Sequence, residues 1–123
     1  ISGNIDSLLA NALEIKGVKV VTAHLEQLDM EALRNTGDLI RNRLGSGVVV
    51  LASSHEGKVS FVAMATKDVV QKGIHSGNIV KEAAKVTGGG GGGRPDMAQA
   101  GGKDASRIDE ALKSAVKVIE SQL

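Results

Sequence analysis

The sequence predicts an α/β domain with a small sheet of at least three strands. Helices pack on one face of it, the first two strands are joined by a crossover helix, and the second and third by a hairpin. Three observations carry this. Val18, Val20, Val21 and Ala23 form a short segment apolar on both sides, which suits a strand inside a sheet. Residues 29–44 then carry apolar side chains at helical spacing. Val48-Val49-Val50-Leu51-Ala52 follows as an unbroken apolar run, best read as a central strand. Strand, helix and strand in this order make a βαβ unit, which crosses over right-handed almost always. At 123 residues, the chain suits one compact domain.

Before the first strand, Ile1, Ile5, Leu8, Leu9, Ala12 and Leu13 recur at helical spacing, with Ser2 or Asn4 as a cap. This predicts an N-terminal helix within residues 1–16, ended by Gly17, that packs on the domain or closes a helical linker. The globular domain then spans residues 17–123. Asp29 caps the crossover helix. Leu33, Thr36, Gly37, Ile40 and Leu44 make its inner face, and Gly45 stops it. Ser54-His55-Glu56-Gly57 is turn chemistry, and Lys58 to Ala65 returns as the third strand. Asp68 with Gln71 caps a short turn ending at Gly73. Ser76 or Asn78 opens a helix with Ile79, Val80, Ala83, Ala84 and Val86 as its buried stripe. Ser106 and Asp109 resemble a capping box before the last helix. There Ile108, Ala111, Leu112, Ala115, Val116, Ile119 and Leu123 share one face.

Composition narrows the function classes. No apolar run approaches the length of a transmembrane helix, and residues 1–6 lack the pattern of a signal peptide. A start without Met fits a fragment of a longer protein. Cysteine is absent, which removes disulfides and thiolate zinc sites and agrees with a cytoplasmic protein. Phe61 is the only aromatic residue, so bases of a single strand cannot be stacked on a row of rings. His24, His55 and His75 are isolated from one another and from other ligand types at metal spacing, and no serine sits in a nucleophile elbow. Neither a catalytic residue, a metal nor a cofactor is expected.

Half of the sixteen glycines, and the only proline, fall between Gly88 and Gly102. The segment 67–107 around them is basic, with Lys67, Lys72, Lys81, Lys85, Arg94, Lys103 and Arg107 against Asp68, Glu82, Asp96 and Asp104. A P-loop fails here: Arg94 and Pro95 stand where Lys and Ser or Thr are needed, and a helix rather than a strand precedes. A dinucleotide fingerprint lacks its leading strand as well. Arg94-Pro95-Asp96-Met97 mixes constraint into a flexible stretch, which reads as a shaped loop between the last two helices. Consecutive glycines leave backbone N–H groups open to an anion. On the residues alone, an ordered phosphate or nucleic-acid loop and a flexible connector both remain open.

Gly91-Gly92-Gly93-Arg94-Pro95-Asp96-Met97-Ala98-Gln99-Ala100-Gly101-Gly102 resembles the closing motif of alanyl-tRNA synthetases. Val48-Val49-Val50-Leu51-Ala52, Gly57-Lys58-Val59-Ser60-Phe61 and Lys67-Asp68-Val69 agree with it, so the resemblance runs from about Gly17 to the end. It is also similar to the domain attached to DHH-type phosphoesterases, whose glycine run is followed by His. Here Arg94 takes that place, which favours the synthetase branch. The resemblance implies a non-catalytic tRNA-binding C-terminal module that engages the outer corner of tRNA and helps aminoacylation and editing act on one tRNA. The partners would be tRNA and the other synthetase domains. On this reading the backbone of Gly91, Gly92 and Gly93 approaches the RNA, Arg94 and Lys103 contact phosphate, Lys81 and Lys85 assist from outside, and Gln99 meets a base or ribose. For Arg94 the competing role is structural, pairing Asp96 or capping a carbonyl. A dimerisation module built on the N-terminal and last helices is the other class, and a phosphoesterase accessory domain the third.

Overall fold

Strands apolar on both sides cannot leave either side in water, and the chain answers with helices above and below one sheet. The computed structural model describes the backbone of residues 2–123 and the side chains of residues 5–123. In chain order the elements are α1 (Ser2–Ala10), β1 (Leu13–Ile15), β2 (Val18–Glu26), α2 (Met30–Leu44), β3 (Val48–His55), β4 (Lys58–Ala65), α3 (Lys67–Gln71), α4 (Ser76–Val86), β5 (Gly90–Gly93) and β6 (Met97–Gly102). A 3-10 turn at Ala105–Arg107 then leads into α5 (Ile108–Gln122). The strands form one sheet in the order β1-β2-β3-β4-β6-β5. β2 and β3 pair in parallel through the α2 crossover, and the remaining pairings are antiparallel. The βαβ unit and the β3–β4 hairpin stand as the sequence predicts.

The expectation of helices on one face is corrected. Val48, Val50, Phe61 and Ala63 point to one side, where α3, α4 and α5 close a core with Ile74, Ile79, Ile108 and Ile119. Val49, Leu51, Val62 and Met64 point to the other side and meet Leu33 and Ile40 of α2 and Ile5 of α1. Burying a side chain such as Phe61 or Leu33 contributes about 1.5–3 kcal/mol. The apolar stripes of α1 and α5, on which a dimer was the alternative, are used inside this domain.

The N-terminal helix is shorter than its apolar periodicity predicts. Ile1 and the side chains of Ser2 and Asn4 lie outside the described residues. α1 ends at Ala10, and Leu13–Ile15 turns back as an edge strand antiparallel to β2. Lys16 and Gly17, at φ 50° and 84°, make the turn between them. Glu56 and Gly57, at 52° and 78°, make the same turn between β3 and β4. Two-residue hairpins of this type need positive φ at both positions to match strand twist.

The caps fall partly where expected. The Asp29 carboxylate accepts from Ala32 N at 2.9 Å, and Gly45 follows α2. Asp68 does not cap α3: Thr66 holds the N-cap position, and the Asp68 carboxylate accepts from the hydroxyls of Ser46 and Thr66. α4 is capped by His75, whose Nδ1 accepts from Asn78 N at 3.2 Å. Asp104 rather than Ser106 caps the entry to the last helix, accepting from Ser106 N at 3.0 Å.

Candidate nucleic-acid interface

The glycine segment lies between the last two helices, but it is a β-hairpin and not a loop. β5 pairs with β6 in the register Gly90↔Gly101, Gly91↔Ala100, Gly92↔Gln99 and Gly93↔Ala98. β6 in turn pairs with β4, and among the described residues no strand lies beyond β5. Glycine is a poor strand former, so the pairing comes from what surrounds it. At the tip, Ser76 N donates to Pro95 O at 2.9 Å, Gly77 N to Arg94 O at 3.2 Å, and Ala65 N to Asp96 O at 2.9 Å. At the base, Lys103 N and Asp104 N both donate to the carbonyl of buried Thr87, at 2.9 and 3.0 Å. Both ends are therefore tied down.

Close approach explains two of the glycines on the helix side. A Cβ at Gly77, in the first turn of α4, would lie 2.5 Å from Gly93 O. One at Gly102 would lie 2.0 Å from Thr87 Oγ1. On the α2 side the same hairpin is open. A Cβ at Gly90 or Gly92 would meet nothing within 4 Å, and one at Gly101 would meet only Val59 O at 3.7 Å. α2 stands over β3 and β4, touching Met64 and Val62 at Gly37, and leaves Gln99, Gly101 and β5 exposed. The result is a two-stranded shelf with little side chain on it. It is about 20 Å long at roughly 3.4 Å per residue of β6.

The structure spreads the sequence-predicted residues over this element. Gln99 and Gly92 face each other directly on the shelf. Gly91 and Gly93 turn toward β6 instead, where a Cβ on either would collide with Ala100 or Ala98. Arg94 sits at the tip, its Nε 3.3 Å from Asp96 Oδ1, with both side chains exposed. Lys103 stands at the opposite end. Lys81 and Lys85 lie on the exposed side of α4, and Lys85 pairs with Glu82 at 3.2 Å. The eight residues therefore do not form one cluster.

Two polar residues that sequence reasoning passed over stand next to the shelf. Lys58 and Ser60, on the α2 side of β4, line a groove of about 310 Å3 with Val59, Gly89, Gly101, Gly102 and Lys103. The pairing Val59↔Gly102 and Ser60↔Gly101 brings them there. The available signal was strand alternation: Lys58 and Ser60 are the polar members of an otherwise apolar strand. Among the described residues, Lys58, Lys81 and Lys103 enter no ion pair, whereas Arg94 and Lys85 do. Next to Lys103, the Ser106 hydroxyl and N–H hold the Asp104 carboxyl below its ordinary range. No group of three or more His, Cys, Asp or Glu among the described residues is placed to hold a metal ion. His24 pairs with Asp109 at 3.0 Å. No helix there is long and apolar enough to cross a membrane.

This arrangement defines a mixed α/β domain whose last two strands form a glycine hairpin at the sheet edge. Residues 17–121 match the DHHA1 domain family. Alanine–tRNA ligase of Acetivibrio thermocellus is 76% identical over 123 residues, all of this chain and 14% of the relative. That of Alkaliphilus oremlandii is 53% identical over 122 residues, 99% of this chain and again 14% of the relative. The chain thus spans about one seventh of the curated relatives it matches. The crystal structure of the C-Ala domain from Aquifex aeolicus alanyl-tRNA synthetase superposes with a TM-score of 0.80 at 32% identity, covering 89% of this chain and 98% of that one. The chain belongs to the DHHA1 family, on the branch formed by the C-terminal domains of alanyl-tRNA synthetases. RecJ from Thermus thermophilus shares the fold at a TM-score of 0.65 and 12% identity, over 98% of this chain and 17% of that one.

Proposed function

We propose that this domain is the non-catalytic tRNA-binding module of an alanine–tRNA ligase. It engages the outer corner of tRNA and so helps aminoacylation and editing act on the same molecule. The observation that carries the reading is the open face of the glycine hairpin. It is bare of large side chains, tied at both ends, and bordered by lysines without carboxylate partners among the described residues. Such a surface suits contact with backbone and shape rather than stacked bases, and one buried aromatic ring offers nothing to stack on. The names of the relatives point to the same partner. No cofactor enters this function. Gly92, Gln99 and Lys103 serve it from the shelf, Lys81 and Lys85 from the neighbouring helix, and Arg94 from the tip. The module acts while joined to the rest of the ligase, and tethering raises its effective concentration on a tRNA already held elsewhere.

Titration of this 123-residue chain with a tRNA transcript at two salt concentrations tests the proposal. Phosphate contacts release counterions, so affinity falls as salt rises. Saturable binding that weakens with salt is expected. No binding at low salt would refute the reading for this domain. Molar mass measured across a concentration series separates it from a dimerisation module.

A further inference from the structure

We propose that the groove between Lys58 and Lys103 seats a ribose–phosphate segment of the RNA. Lys58 and Ser60 are then binding residues, and the RNA backbone is seated on the α2 side of the hairpin, with Lys81 and Lys85 of α4 assisting only from outside it. This rests on the tRNA reading above and adds which face is used. Lys58 begins β4 and Lys103 follows β6, and antiparallel pairing of these strands sets the two at one end of the shelf. Neither ammonium is paired with a carboxylate among the described residues. Two cations that enter no ion pair flank one groove and attract a polyanion, while the Asp104 carboxylate beside Lys103 is occupied by the N–H and hydroxyl of Ser106.

The floor between them is made of Gly101, Gly102 and Gly89, so a sugar–phosphate chain can reach the backbone itself. Ser60, with its hydroxyl, stands at the wall, and the residue is half-buried. The hydroxyl makes no hydrogen bond to the protein among the described residues and is free to donate to a phosphate oxygen. The shelf continues from this groove past Gly90 and Gly92, where an added Cβ would meet nothing, with the Gln99 side chain standing on it.

The alternatives on the same element are less open. The helix side of the hairpin is filled by α4, and the N–H groups of Ser76, Gly77 and Asn78 are already bound to Pro95, Arg94 and His75. Arg94 and Lys85 are engaged by Asp96 and Glu82. Lys58 and Ser60 also line the adjoining groove, whose other walls carry His55 and the carboxylates of Asp29 and Glu56. Their charge repels phosphate and confines it to the Lys103 side.

The test compares tRNA binding by the unaltered chain, by Lys58→Ala with Lys103→Ala, and by Lys113→Ala with Lys117→Ala on α5. The slope of log affinity against log salt should fall by about two for the first pair, about one for each phosphate contact removed. Affinity at low salt should fall on the order of tenfold, which corresponds to roughly 0.7 kcal/mol per exposed lysine contact. The α5 pair should change neither. Gly101→Val adds a test independent of charge: its Cβ would make one ordinary contact, with Val59 O at 3.7 Å, so the fold should persist while binding weakens. Tight, salt-sensitive binding by the unaltered chain with equal effects of both lysine pairs, or with no effect of Gly101→Val, overturns the groove and leaves the tRNA reading standing. Failure of the unaltered chain to bind overturns both.

Discussion

Replacing Gly102 by alanine should destabilise the domain by about 1–3 kcal/mol, and the size follows from one contact. The new methyl would lie 2.0 Å from Thr87 Oγ1 and 2.9 Å from Thr87 Cβ. Thr87 is fully buried, its hydroxyl donates to Ala84 O at 2.9 Å, and its carbonyl takes both N–H groups that close the hairpin. It cannot rotate away without leaving a polar group unpaired. Overpacking of this kind costs about 1–3 kcal/mol, and loss of the hydroxyl's hydrogen bond adds about 0.5–1.5 kcal/mol. Against this, alanine lowers the entropy of the unfolded chain, worth about 0.5–1 kcal/mol. A net loss near 2 kcal/mol lowers the melting temperature of a domain this size by about 10 °C. Gly92→Ala is the internal comparison: its methyl meets nothing within 4 Å, so stability should stay level or rise by under about 1 kcal/mol. Thermal unfolding followed by circular dichroism measures both. A Gly102→Ala chain melting at or above the unaltered one would refute the argument that close packing on Thr87 is why glycine stands there.

Two further outcomes follow from the charged side chains. Arg94→Ala removes an exposed pair with Asp96 and should change stability by less than about 1 kcal/mol, while binding to tRNA weakens; a large fall in melting temperature with unchanged affinity would assign Arg94 to structure alone. The Asp68 carboxyl is held below its ordinary range by the hydroxyls of Ser46 and then Thr66. A depressed folded-state value means that its stabilisation is present above the unfolded-state value, near 3.8, and is lost as pH falls through the folded-state value. The melting temperature should therefore decline below about pH 4, and Asp68→Asn should flatten that decline. An identical acid profile in the two chains would show that the hydroxyl pair carries no such linkage.

Much of the fold was legible because its signals are local. Val48 to Ala52 is best read as a buried strand, residues 29–44 show one apolar face, and Glu56-Gly57 marks a tight turn. The same chemistry at Lys16-Gly17 was masked by the helical spacing of Ala12 and Leu13, which made a three-residue edge strand read as the end of a helix. The number of helix layers was misjudged although β3 and β4 are apolar on both sides, a pattern that already demands cover on both faces. In the candidate site, Gly92 and Gln99 of the motif and Lys103 just after it were singled out, and they border the open shelf. Lys58 and Ser60 were not, because nothing local links them to a segment so far along the chain.

By itself, the amino-acid order determined what depends on neighbours in sequence: two buried strands and the helix between them, a chain with a single aromatic ring, and a motif specific enough to name the family. Tertiary structure decided what the glycines become. A residue without a side chain carries no periodic pattern, so whether Gly90–Gly93 is loop or strand depends on β6 beside it and on the clamps from α4 and Thr87. The same pairing chose which face of the hairpin stays open and brought Lys58 to Lys103. Strand register places side chains across a sheet, and register is a relation between distant segments that neither segment encodes alone.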